Sequence, residues 1–156
     1  MDNLSKTIAQ SFVSFYREYV QRVHALAESL SEEQFWKKPF PYGNSFGHLI
    51  LHLSGNLSYY IGAEISNTGY VRHRDLEFTE TNLVPKEELM RRFDEVVEMV
   101  IATIEKQTPE TWSKEYHATG ADYAKDRFSI FLRCSVHFHH HLGQMIYLVN
   151  EHQLHK

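Results

Sequence analysis

At 156 residues, 42% of them apolar and 23% charged, the chain has the balance of an ordinary globular protein and is long enough to bury a core as one domain over 1–156. A formal net charge of −4 and the lack of any lysine- or arginine-rich run offer nothing to nucleic acid or to an anionic membrane, so neither is expected as a partner. The start, Met1-Asp2-Asn3-Leu4-Ser5-Lys6, lacks the basic and apolar blocks of a signal peptide, no apolar run approaches the roughly 20 residues that span a bilayer, and a single cysteine, Cys134, excludes an intrachain disulfide framework; the expectation is a cytoplasmic protein.

Helical periodicity dominates the chain. Leu4, Ile8, Phe12, Phe15, Tyr19, Val23, Leu26 and Leu30 recur at spacings of three and four, which reads as the apolar stripe of a long first helix capped by Asp2 or Asn3. Ser31-Glu32-Glu33-Gln34, then Pro39 and Pro41, ends that pattern. A second helix starts at Asn44 or Ser45 and runs to about residue 65. Its segment 46–56 is apolar nearly all round, as in a helix buried within a core. His48 and His52 stand one turn apart on it, and Asn56 and Tyr59/Tyr60 continue the same side.

Ser66-Asn67-Thr68-Gly69 is turn material. From Tyr70 to Val84 the chain is polar and without period, and Arg72-His73-Arg74-Asp75-Leu76-Glu77-Phe78 packs charge around Leu76 and Phe78. This reads as an ordered crossover loop, with the two arginines pairing Asp75 and Glu77 rather than meeting a substrate carboxylate. Pro85 opens a third helix, whose stripe is Leu89, Phe93, Val96, Val97, Val100, Ile101 and Ile104. Thr108-Pro109-Glu110 stops it or starts a short extra turn, and 113–125 reads as loop. A fourth helix covers about 126–151, with Ile130, Cys134, His137, His141, Gln144 and Leu148 on one stripe and Phe131, Val136, Phe138, Met145 and Ile146 adding apolar contacts. The fold class expected is all-α, a four-helix bundle with a long crossover connection between helices 2 and 3.

Four of the eleven histidines fall within residues 137–141. Successive helical residues turn by about 100°, so His137 and His141 share a face, roughly 6 Å apart along the axis, whereas His139 points to nearly the opposite side. His140 lies about 60° from His137 as a flanking residue. Two imidazoles at i,i+4 can serve one ion. A third ligand must come from elsewhere, and helix two offers His48 and His52, of which His52 sits deeper in the apolar run. Without a cation, burying unpaired imidazoles would cost roughly 1–3 kcal/mol each. Three imidazoles suit Zn²⁺, Ni²⁺, Fe²⁺ or Co²⁺ and leave positions open for substrate. His152 and His155 belong to the frayed C-terminus, where exposure is the default. Cys134, one turn before His137, reads as a core cysteine rather than a nucleophile.

Three segments carry a family resemblance: Asn44-Ser45 with His52-Leu53-Ser54-Gly55-Asn56; Arg72-x-Arg74-Asp75-x-Glu77-Phe78; and His137-x-x-x-His141-x-Gly143-Gln144. Together they resemble the DinB-like superfamily of small metal-binding four-helix bundles over nearly the whole length. The resemblance implies a metal held by His52, His137 and His141, with zinc or nickel foremost and iron or cobalt as further choices, and it leaves His48 as a neighbour. Asn56, Tyr59, Arg74, His140 and Gln144 join His48 as candidate substrate or supporting residues; Gln144 is placed to reach a ligand, and Gly143 to permit close packing. Relatives with assigned functions imply a metal-dependent, thiol-dependent transferase or a hydrolase, acting on a small molecule with a low-molecular-weight thiol as partner, often as a homodimer. The alternative is a non-catalytic, stress-associated metal-binding bundle protein.

Overall fold

The structure, a computed structural model, describes residues 3–154. The proposed cap Asp2 and the terminal His155 lie outside the described residues. The chain is all-helical: α1 (Asn3–Glu28), α2 (Glu32–Trp36), α3 (Phe46–Leu57) running directly into a π-helical segment (Ser58–Ala63), α4 (Leu76–Thr79), α5 (Lys86–Glu105), α6 (Pro109–Trp112) and α7 (Arg127–Leu154). Among the described residues no strand forms, only an isolated bridge between Glu115 and Asp126. Each of α1 and α3 packs against both α5 and α7, and α4 lies on α3. Among the described residues no helix is long and apolar enough to cross a membrane.

The buried face of α1 is Ser5, Ala9, Phe12, Tyr16, Tyr19, Val23 and Ala27. Leu4 and Phe15, which the sequence places inside, are 66% and 50% exposed, and Tyr16 is fully buried instead. The small side chains of Ser5, Ala9 and Ala27 let the neighbouring helices approach, so the contact line falls beside the largest aliphatic residues rather than through them. Ser31-Glu32-Glu33-Gln34 does more than end a helix. Ser31 accepts from Gln34 N–H while the Gln34 side chain accepts from Ser31 N–H, a reciprocal cap that starts α2 and plants Phe35 in the core.

Ser45 caps α3, and all of that helix except Leu51 and Ser54 is buried, as its uniform apolarity demands. A β-carbon at Gly47 would meet the Trp36 ring, so this glycine allows α2 to sit against α3. Past Leu57 the ladder loosens by one residue per turn: Glu64 N–H reaches Tyr59 C=O and Ser66 N–H reaches Ile61 C=O. Single π turns of this kind occur often at functional sites, and here the segment carries Tyr59 and Tyr60.

The crossover is ordered, but its anchor differs from the expected one. Leu76 is 52% exposed and Glu77 is 5% exposed. Pro85 sits at the N-cap of α5 rather than as its first residue. Thr108 and Thr111 form a second reciprocal cap that starts α6 and lets Trp112 donate to Ser5 Oγ at 3.0 Å. On α7, Val136 is 55% exposed whereas Phe131, Phe138 and Met145 are buried. His152 is also buried, contrary to the frayed end expected, because α7 continues to Leu154. Gly143 is not forced by packing, since a β-carbon there would meet open space.

Candidate metal centre

Seen from the middle of α3, the imidazoles of His52, His137 and His141 converge. His52 Nε2 is 3.1 Å from His137 Nε2, and His141 Nε2 is 3.0 Å from the same atom. One ligand atom from each of the three lies within 4.8 Å of the others. Two come from α7 because residues four apart share a face, and the third comes across the α3–α7 contact.

The tautomers explain why such a cluster asks for a cation. His52 Nδ1–H donates to Glu77 Oε2 at 2.7 Å, and His141 Nδ1–H donates to Gln144 Oε1 at 2.7 Å. A neutral imidazole that donates through Nδ1 holds a lone pair on Nε2. Two lone pairs therefore point at His137 Nε2, which can donate no more than one proton between them. A divalent metal ion held by the Nε2 atoms of His52, His137 and His141 would take up these lone pairs and resolve the crowding. Carboxylate and amide partners on the far ring nitrogens are the usual way of orienting metal-binding histidines. His137 Nδ1 is buried without a partner among the described residues.

The two imidazoles of α7 are held neutral. Burial, with the nearby His141 and His52 rings, holds His137 down to about 3. Burial likewise lowers His141 to about 4, although its Gln144 hydrogen bond opposes the shift. Neutral nitrogen is the form that binds metal.

Glu77 is the residue that organises the surroundings. Arg72 Nε donates to Oε1 at 2.7 Å and Arg72 Nη2 to Oε2 at 2.9 Å, the same oxygen that accepts from His52. Burial by itself pushes this carboxyl up, but hydrogen bonds from His52 and Arg72 outweigh it and leave the pKa below the usual value. A β-carbon at Gly55 would overlap the Glu77 carboxylate, so the glycine admits α4 to the face of α3. Phe78 then covers the His52 ring at 4.8 Å between centroids.

The other candidates separate cleanly. His48 has both ring nitrogens satisfied, by Ser45 Oγ at 2.7 Å and by donation to Glu80 C=O at 3.1 Å, and it ties the crossover to α3 without joining the cluster. His139 is exposed and meets the Tyr19 ring in a tilted contact. His140 is exposed and receives a 3.3 Å contact from Gln144 Nε2, so Gln144 bridges His140 and His141. Arg72 pairs with Glu77 as read from the sequence, but Arg74 lies over the Phe78 ring at 5.5 Å instead of pairing with Asp75.

A cleft of about 810 Å³ opens beside His52 and His137, with Asn56, Tyr59, Arg74 and Cys134 in its wall. Burial pushes the Cys134 thiol up to about 12, which keeps it protonated and inert at neutral pH. Arg133, Tyr70 and Tyr123 also line the cleft, and the sequence marks none of them. Arg133 stands one turn before His137 and was open to detection by the same helical spacing. The loop tyrosines carry no such signal, and neither does the support that Glu77 gives His52 across 25 residues.

A sequence model described as the DinB superfamily matches residues 15–145, most of the chain and all three histidines. The protein belongs to the DinB superfamily. Comparison with the curated proteins finds no match.

Proposed function

We propose that this DinB-superfamily protein binds one divalent transition metal through His52, His137 and His141 and uses it in group transfer to or from a small molecule. The observation that carries the reading is the convergence of three Nε2 atoms, two of them fixed as lone-pair donors by Glu77 and Gln144. We read the four long helices, α1, α3, α5 and α7, as a four-helix bundle forming one domain, with 64–85 as its long crossover. The donor set of three neutral nitrogens favours zinc or nickel, with iron and cobalt behind them.

A bound divalent cation supplies Lewis acidity that lowers the pKa of a thiol or water and readies it for attack. The chain's own residues do the rest. Glu77 and Gln144 hold two imidazoles in their donor tautomer, and Phe78 shields the His52 ring. The cleft beside His52 and His137 offers a substrate a path to the histidines without unfolding any helix. The family resemblance supports a low-molecular-weight thiol as one reactant, a homodimer as the working unit and the cytoplasm as its place.

Metal analysis of untagged protein tests the first step. The expected result is close to one equivalent of metal, and a raised melting temperature when Zn²⁺ or Ni²⁺ is added to stripped protein. Content well below one equivalent together with no thermal shift overturns the reading. Turnover of electrophiles with thiol cofactors by the metal-loaded protein separates the enzyme from a metal-binding protein without activity, and light scattering reads the dimer.

A further inference from the structure

The chain as a whole is acidic, with a formal charge of −4, yet no acidic side chain lines the cleft beside the histidines, and three arginines do. Arg72 is already neutralised by its two hydrogen bonds to Glu77. Arg74 and Arg133 are not. Among the described residues neither has a carboxylate partner; Arg74 lies over Phe78 at 5.5 Å and Arg133 over Tyr123 at 5.6 Å. An aromatic ring under a guanidinium face holds the plane still while leaving the N–H donors at its edge open to an oxyanion.

Position adds to charge. Arg133 precedes His137 by one turn on α7, so its origin lies about 6 Å along the axis from the metal-facing imidazole, on nearly the same side of the helix. Asn56 follows His52 by one turn on α3 and lines the same cleft. It is 8% exposed, and its side-chain oxygen has no donor among the described residues. The volume of about 810 Å³ lies in the range that accepts a ligand of drug-like size.

We propose that the small molecule taken by this cleft is an anion, a carboxylate or a phosphate on an aromatic or otherwise apolar body, with the charged group seated by Arg133 and Arg74. The tyrosines of the wall pack the body, an N–H or O–H on the ligand gives Asn56 its missing donor, and the ligand's other end faces His52 and His137. The placement of that far end rests on the metal-site reading; the anion seat does not.

Calorimetric titration of the full-length protein, both stripped of metal and loaded with zinc, tests this with phenylacetate, phenyl phosphate and the neutral phenylacetamide. At least one anion is expected to bind about tenfold or more tightly than the amide, in stripped and loaded protein alike. The stronger of the two names the anion. Arg133→Gln and Arg74→Gln should each weaken that anion by about tenfold and leave the amide unchanged. Both arginines are exposed, so folding is not at stake, and an unchanged melting temperature and a zinc affinity that does not fall (by competition with a chromophoric chelator) accompany the loss. Arg17→Gln, at a distant surface, should change nothing. Three results overturn the proposal: neither anion binds at millimolar concentration, anions and amide bind alike, or anions bind only the zinc-loaded protein and equally in both arginine variants. Arginine-dependent anion binding in a protein that takes no zinc upholds this proposal and overturns the metal reading.

Discussion

A neutral imidazole can present its lone pair from either ring nitrogen, and at His52 the choice is made by Glu77, 2.7 Å from Nδ1. Glu77→Gln removes the charge that holds the Nδ1–H tautomer and leaves Arg72 half-paired. Zinc affinity, measured by competition with a chelator, should fall by about 10–100-fold, as for other partners of metal-bound histidines. His137→Ala removes the nitrogen common to both short contacts and should abolish most zinc binding, whereas His139→Ala, which only loses its ring contact with Tyr19, should bind zinc like the unaltered protein. Equal losses from the two would mean that the wrong face of α7 has been assigned. Cys134, buried and with its thiol pushed up to about 12, should resist iodoacetamide in the folded protein at neutral pH and react after denaturation, read by mass spectrometry. Rapid alkylation of the native protein would show a thiolate that this geometry does not provide.

At the scale of elements, the site depends on how α4 lies on α3. Gly55 is the gap through which the Glu77 carboxylate reaches His52, and any side chain there competes for the same space. Gly55→Ala improves helix propensity by up to about 1 kcal/mol, but overpacking works against it by about 1–3 kcal/mol. Zinc affinity should drop as in Glu77→Gln, because α4 must lift. If affinity is unchanged in Gly55→Ala, Glu77 is not the support of His52. The π-helical turn that follows α3 turns Tyr60 toward the loop after α6, where its hydroxyl is 3.3 Å from Gly120 C=O. Tyr116 in turn donates to Tyr60 C=O at 2.9 Å, so loop and π turn brace one wall of the cleft together.

Over the whole molecule, the buried histidines link stability to pH. Their folded values, about 3 for His137 and about 4 for His141, lie below the ordinary value of 6.5. As pH falls through 6.5 the unfolded chain takes up protons that the folded chain refuses, so the unfolded state gains. The metal-free protein should therefore keep its full stability above the ordinary histidine range and lose it steadily toward about pH 3, the folded value of His137. Urea midpoints measured from neutral to acid pH check this, and His137→Asn should flatten the dependence. A midpoint that rises in acid would contradict the burial of neutral imidazoles.

Much of this protein was legible in its sequence, because helices are written in local spacing. The long helical segments and the pairing of His137 with His141 follow from three- and four-residue periods, and those periods need no knowledge of what lies across the core. Spacing was less faithful about which residues are buried: Leu4, Phe15 and Val136 lie outside and Tyr16 and His152 inside, since a contact line is set by the shapes of two helices together. The third histidine is the clearest case of what the fold decides. His48 and His52 stand one turn apart on the same apolar helix, and the sequence reading favours His52. It is packing that gives His48 two hydrogen-bond partners of its own and carries His52 to within 3.1 Å of His137. Glu77 under His52, and Arg133 beside Tyr123, likewise exist only as contacts between distant segments. Local periodicity determined the helices and one edge of the site; the remaining edges required the chain to be folded, because contacts across a core depend on three-dimensional fit and leave no period in the sequence.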